Sequence, residues 1–458
     1  MGFGMMGVME QTQGFIGEFE SQNAHSAAWV NALRAKGMDD FRRLGFPTTR
    51  LEEWRDTNVS AIARTDFVPA AAAEAAAARE IFERYSFRNE ATAELVFING
   101  RYHAGLSRLS NLPAGVTIAT LREATVAHEP LVSEYLGRLA KTGEHPFAAL
   151  NTAYLGEGAF VHLAKGAAAA KPIHLLFLTS LPHGSVPSVT HPRVLVIAEA
   201  GSESSLVETY AGTNNTTYLT NAVTEIVQAP TAKIDHNKLQ QEGDQADHIA
   251  LMQVVLASES AFVSHSTSLG SRLTRNDLLV FLGGERAEAT LNGLVYATGQ
   301  QHIDNHTLLH HEKAHCPSHE LYKHVLADRS TGVFKGKIFV QKDAQKTDSK
   351  QTSKALLLTN EAFMNSQPAL EIYADDVKCT HGSTTGPIDE NAVFYLISRG
   401  LSLGQARHLM TYAVAADITR RIKVTPVRAR IEDYMAAQHG LPLDLRIADF
   451  AAHDVAML

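Results

Sequence analysis

A thiol and an imidazole stand two residues apart at one place in this chain, Lys378-Cys379-Thr380-His381. If Val377 to His381 is extended, side chains alternate between faces, and Val377, Cys379 and His381 share one of them. Sulfur and nitrogen then point the same way, within reach of one ion or cluster. The same spacing fits a buried cysteine beside a hydrogen-bonded histidine, and the residues alone leave both readings open. A second concentration lies upstream. Seven of the 22 histidines fall in one stretch: His302, His306, His310, His311, His315, His319 and His324, with Cys316 among them. Imidazole and thiolate suit iron and zinc, so Cys316, His306 and His315 are secondary soft-metal candidates. For most of these histidines the plain reading is a hydrogen-bonded or solvated ring on a strand-and-loop surface. Asp375 and Asp376 are adjacent, would point oppositely on a strand, and read as a turn.

Three motif matches do not survive their structural requirements. Gly2-Phe3-Gly4-Met5-Met6-Gly7 fits a dinucleotide fingerprint, but no strand precedes it to deliver the glycines to a helix; a disordered terminus is expected. Gly400-Leu401-Ser402-Leu403-Gly404 fits a nucleophile elbow, which needs a strand before the serine; here a helix precedes, and Ser402 reads as an N-cap. His311-Glu312-Lys313-Ala314-His315 fits the zincin pattern, and a zinc metalloprotease is the rival function. That chemistry needs a helix so that both histidines share a face. Ile303, Asn305, Thr307 and Leu309 instead alternate like a strand, and Pro317 follows closely. A P-loop is absent, since Gly336-Lys337 is followed by Ile338, so any ATP hydrolysis must come from another chain.

Composition narrows the classes further. The 458 residues suggest roughly two to four domains. With 41 Lys+Arg against 49 Asp+Glu the formal charge is −8, which argues against binding nucleic acid or an anionic membrane surface. No apolar run is long enough to span a bilayer, no basic-then-apolar leader opens the chain, and Met6 stands where a myristoylation signal needs Ser or Thr. Two cysteines, Cys316 and Cys379, exclude a disulfide scaffold and fit a reducing cytoplasm.

The elements fall into three segments. Residues 1–160 read as a helical and mixed domain: Phe15 to Arg42 has helical spacing, Leu51 to Trp54 resumes it, and Leu95 to Ile98 before Asn99-Gly100 is a strand and turn. The alanine-rich run from Ala70 to Ala78, after Pro69, is expected to be a linker or a solvated helix. Residues 161–386 hold many short apolar or alternating runs, such as Arg193 to Ala198 and Leu291 to Ala297, punctuated by Gly, Asn, Asp and Ser. That pattern predicts a large all-β unit, with a solenoid as one candidate, although no fixed period is visible. In residues 387–458 helical spacing returns, with Asp389 as a cap and Ser402 with Gln405 as a capping box. The basic residues Arg420, Arg421, Lys423, Arg428 and Arg430 read as a solvated face, or more sharply as a docking face.

The wording of several stretches resembles the SufB/SufD family of SUF iron–sulfur cluster assembly scaffolds, in its SufD branch. These are Glu371-Ile372-Tyr373-Ala374-Asp375-Asp376-Val377-Lys378-Cys379 with Thr380-His381-Gly382, Gly386-Pro387-Ile388-Asp389, Phe394 to Gly400, Asp304-Asn305-His306-Thr307, Ser318 to Lys323, and Pro47 to Thr57 with Glu53-Trp54. The likeness is strongest over 290–420 and thin at both ends. It implies a mainly β fold with helical ends, namely a right-handed parallel β-helix core over 161–386 between N- and C-terminal helical domains. It implies a non-enzymatic scaffold that pairs with a SufB-like paralogue along the β-helix. A SufC-like ABC ATPase would dock on the C-terminal helices, for which Phe394, Tyr395, Arg399, Leu409 and Tyr412 are the candidates, and nucleotide binding there would reshape the interface. It marks His381 as iron or cluster ligand, with Cys379 second. No cofactor is expected to stay on this chain alone; a transient iron–sulfur cluster would be shared with SufB, because two cysteines cannot complete a cluster shell. A homodimer of the isolated chain, or a SufB-like homodimeric scaffold, stays open.

Overall fold

The structure, a computed structural model, describes residues 27–438. The glycine-rich start and the first part of the Phe15 to Arg42 pattern lie outside the described residues. The centre is a parallel β-solenoid of about seven turns. Each turn gives one strand to an eleven-stranded sheet and one to a ten-stranded sheet. Neighbouring strands pair in parallel register, so every inward side chain stacks on its counterparts in the adjacent turns. One such inner column runs His236, Ser264, Leu291, Glu320, Gln351, His381. Another runs Phe262, Ala289, Ser318, Ser349, Cys379. Turn length varies: Ser264 pairs with Leu291, 27 residues on, whereas Glu320 pairs with Gln351, 31 residues on. That variation is why the sequence shows no period.

The turns share one corner geometry. Gly201, Thr231, Glu259, Arg286, His315 and Lys346 all have positive φ, between 58° and 69°. Each donates its backbone N–H across to the next turn: Thr231 to Ser258, Glu259 to Glu285, Arg286 to Ala314, His315 to Gln345 and Lys346 to Asp376. The residue that follows each corner is small and buried: Ser202, Ala232, Ser260, Ala287, Cys316 and Thr347.

The bore is not uniformly apolar. Glu208 takes a hydrogen bond from Tyr210 at 2.6 Å and lies 3.1 Å from His236 Nε2. Lys238 Nζ reaches Asn276 Oδ1 at 2.6 Å and His248 Nε2 at 2.8 Å. Burial pulls the Lys238 ammonium down to about 8, while Glu208 and Glu242 work against that fall. The strand Lys233–Gln241, which has little apolar character, is held by such contacts.

The N-terminal end of each sheet finishes in an antiparallel strand. The hairpin Ala93–Ile98 to Arg101–Tyr102, turned by Asn99 and Gly100 at φ 52° and 72°, ends the ten-stranded sheet. The antiparallel strand Val116–Thr120 ends the eleven-stranded sheet. Helix Pro146–Ala153, buried along its whole length, packs against helix Ala28–Leu44. There Gly37 allows close approach: a Cβ on it would lie 2.7 Å from the Ala153 nitrogen. The alanine-rich run takes the expected form, a link without helix or strand over 70–74 and then a helix whose first residues, Ala75 and Ala76, are exposed. Val68–Pro69 pairs with Ser188–Val189, and the helix starts only at Ala75, burying Ala78, Ile81 and Tyr85 against Val96, Ile98 and Leu176. Proline sits on that strand because an edge position needs no donor there.

Glu53 and Trp54 clamp the N-terminal segment to the solenoid. The Arg275 guanidinium lies 3.9 Å from the Trp54 ring centre. It donates to the Glu53 carbonyl at 2.6 Å and to Asp277 Oδ1 at 2.9 Å, and reaches Asp304 Oδ2 at 3.2 Å. His306 Nε2 is 3.1 Å from Asp304 Oδ1. Burial pulls the His306 ring down, but Asp304 and Glu53 outweigh it and raise it to about 9; the His306 contact and Lys335 hold Glu53 at about 2. Replacing Arg275 by Leu strands two buried carboxylates and should cost about 3–5 kcal/mol, read as a shift in the urea unfolding midpoint. A ring held above its usual 6.5 adds stability that is complete below that pH and is lost as pH rises through about 9. Unfolding free energy should therefore fall between those limits, and His306→Gln should flatten the slope.

Candidate functional site

The C-terminal end of the solenoid is built differently from the N-terminal end. Strands Phe363–Ile372 and Lys378–Pro387 are the last members of their sheets, so among the described residues each leaves one edge unpaired. Phe363, Ile372 and Tyr373 are exposed there, Tyr373 at 62%. The link between the strands bends at Asp375 and Asp376, as their adjacency predicts. Gln345 fixes it, donating to Asp375 Oδ1 at 3.1 Å and accepting the Asp376 N–H at 2.9 Å.

Cys379 and His381 lie on the second of these strands and share its inner face. Cys379 continues the Ser318–Ser349 column, is half-buried and packs on the bore's core. Burial pushes its thiol up, so the neutral form prevails and a bound metal would have to displace a proton. His381 tops the column of Glu320 and Gln351 and is exposed at the mouth. Below it Gln351 donates to Glu320 Oε2 at 2.6 Å, and burial raises the Glu320 carboxyl to about 7. Ser318 and Ser349 hydroxyls lie 2.6 Å apart, and His311 Nε2 is 3.0 Å from Ser318. The bore thus turns polar towards the open end.

The histidine-rich stretch is dispersed. His306 belongs to the clamp, His315 is a corner residue, and Cys316 is the small buried residue after it, donating its S–H to the Gly284 carbonyl at 3.2 Å. Among the described residues no three His, Cys, Asp or Glu side chains are grouped to hold a metal ion. The secondary soft-metal candidates are therefore not brought together. The zincin reading is overturned as well: His311 ends strand His302–His311 and faces the bore, Glu312 lies beyond it, and His315 turns a corner, so there is no helix to align the pair.

On the C-terminal helices the caps form as expected. Asp389 accepts from Asn391 and Ala392, and Ser402 with Gln405 closes the capping box. Phe394 is 72% exposed on helix Glu390–Ser398, beside exposed Tyr395, over whose ring the Arg399 guanidinium sits at 5.0 Å. Ile397 and Leu403 are exposed as well. Leu409 and Tyr412 correct the expected docking set, because both are buried. Helix Leu403–Thr419 lies between helix Glu390–Ser398 and the outer face of the ten-stranded sheet, so Leu409 packs with Val393 and Leu396 and Tyr412 with Leu294 and Val325. Lys323 Nζ ties that helix to the sheet through Asp417 at 2.8 Å. Sequence reasoning missed Phe363, Glu320 and Gln351: Phe363 is an edge residue and the other two are polar groups inside a bore. The one available signal was their place on strands of mixed polarity.

Thiol alkylation checks the placement of both cysteines. In the native chain near neutral pH, iodoacetamide should label Cys379 slowly and Cys316 only after unfolding, as read by peptide mass spectrometry. Equal native labelling would contradict the corner position of Cys316.

Comparison with known proteins agrees with this architecture. The family description "SUF system FeS cluster assembly, SufBD core domain" matches residues 180–414, and "SufBD protein N-terminal region" matches residues 9–175. An iron–sulfur cluster assembly SufBD family protein of Synechocystis is 31% identical over 405 residues, 86% of this chain and 88% of the relative. The iron–sulfur cluster assembly protein SufD of Escherichia coli is 29% identical over 381 residues, 83% and 86% of the two chains. SufD of Bacillus subtilis is 24% identical over 423 residues, 90% and 94%. With family matches along nearly its whole length and a relative 31% identical over most of both chains, the chain belongs to the SufBD family of the SUF iron–sulfur cluster assembly system.

Proposed function

We propose that this chain is a non-catalytic scaffold subunit that builds iron–sulfur clusters at its open solenoid end, together with a SufB-like paralogue. The observation that supports this most is the last turn: two unpaired strand edges, exposed Phe363, Ile372 and Tyr373, and a thiol and imidazole on the inner face. Unpaired edges present rows of N–H and C=O groups that a second solenoid can complete. Iron and persulfide sulfur are the substrates of this site. His381 offers an imidazole nitrogen to iron, and Cys379 is the second donor. Two cysteines cannot supply a cluster shell, so the partner brings the remaining thiolates. In the absence of that partner, the same edges suit a second copy of this chain.

An ATPase of the SufC kind would dock on Phe394, Tyr395 and Arg399, residue types that dominate interface energetics. Helix Leu403–Thr419, packed between this patch and the sheet, offers a route by which nucleotide binding could move the last turn. The chain lacks a P-loop, and among the described residues no helix is long and apolar enough to cross a membrane. The cytoplasm is the expected setting.

Co-expression with the paralogue and the ATPase, followed by anaerobic reconstitution read by absorption and Mössbauer spectroscopy, tests the reading. His381→Ala should leave the complex intact and lower cluster yield several-fold; normal yield would remove the ligand role. Phe363→Asp should abolish pairing with the paralogue while the fold is kept by circular dichroism. Phe394→Asp should release only the ATPase, as seen by native mass measurement.

A further inference from the structure

A cleft of about 850 Å³ lies beside the first turns of the solenoid, away from the mouth. Gly212 and Gly270 lie on its floor. One wall is the end of helix Ala75–Tyr85 with the loop that follows it, and the other is the C-terminal helix Thr425–Gln438. The volume falls in the range of small-molecule sites.

Each wall brings an arginine. The Arg84 and Arg430 guanidiniums stand over one ring, that of buried Tyr85, at 5.5 and 4.8 Å from its centre. Arg430 also donates to the Arg84 carbonyl. Burial pulls the Arg430 guanidinium down, and the Arg84 charge acts in the same direction. Charges withdrawn from water are ordinarily paired. Among the described residues, however, no carboxylate is ion-paired with Arg84 or Arg430. Asp433 lines the same cleft and only opposes the fall at Arg430 from a distance. Asp244 accepts the Asn215 N–H at 2.7 Å. Arg88, the third arginine of the cleft, is held by Glu83.

We propose that this cleft binds a small polyanion, a phosphate- or carboxylate-bearing metabolite whose charged group seats at Arg84 and Arg430. A guanidinium presents a planar fork of N–H donors that phosphate and carboxylate oxygens match in pairs. The anion supplies the negative charge that the two neighbouring cations lack. Because the walls come from opposite ends of the chain, the bound anion ties the N-terminal helix to the C-terminal one. The site is separate from the mouth and does not depend on the ligand role of His381.

The test titrates the full chain at low salt with inorganic pyrophosphate and, separately, with citrate, read by calorimetry. At least one should bind saturably, and the anion that binds identifies the source of the charge. Saturation should raise the thermal unfolding midpoint by a few degrees, because only the folded cleft binds. Arg84→Gln, at an exposed side chain, should weaken binding about tenfold, the scale of one charge-assisted hydrogen bond. Arg430→Gln should do the same, and the two together should abolish binding. Lys350→Gln, which removes an exposed cation on strand Asp348–Leu357, should change nothing. Failure of both anions to bind saturably, or equal binding by the wild-type and folded Arg84→Gln chains, would overturn the site.

Discussion

Parallel strands stacked in register oblige each inward side chain to share its space with the residue one turn before and one turn after. The rest of this structure follows from that constraint. Gly293 lacks a side chain because a Cβ there would lie 2.1 Å from the Tyr322 ring in the next turn. Polar residues inside are tolerated because the columns bring them together, as with Glu208 and His236. The thiol and imidazole at the mouth are the last members of two columns, so their positions come from a rigid ladder and not from a loop.

The sequence makes part of this legible. Apolar strands such as Arg193–Ala198 and the Asn99-Gly100 hairpin are readable because burial on both faces or a left-handed turn selects few residue types. Strands Lys233–Gln241 and Ala261–Ser268 are not, because their inner polar groups are satisfied by neighbours some thirty residues away, which no local window contains. The shared face of Cys379 and His381 follows from period two alone. The cage beneath them, Glu320 and Gln351, does not, since register across turns of unequal length cannot be counted from one end.

The corners show the same limit from the other side. Thr231, Glu259, Arg286, His315 and Lys346 adopt a backbone that glycine prefers, at about 1–2 kcal/mol each. The cross-turn hydrogen bond from each N–H offsets that strain. Since the side chain at a corner faces outwards, its type is free, and a histidine there mimics a metal motif without taking part in one. The C-terminal helices are more legible, because caps are local. Which faces they bury depends on the sheet they fold back upon, which is why Leu409 and Tyr412 lie inside and not on a docking face.

One end of the solenoid finishes in short antiparallel strands and the other in two ten-residue parallel strands. Identical repeats open at both ends would polymerise, adding copies head to tail without limit. A subunit with a single live terminus cannot: once two such ends meet, neither has anything left to extend. Where such a subunit pairs through its C-terminal strands, the short antiparallel finish at the other end leaves no long parallel edge for a further copy to continue.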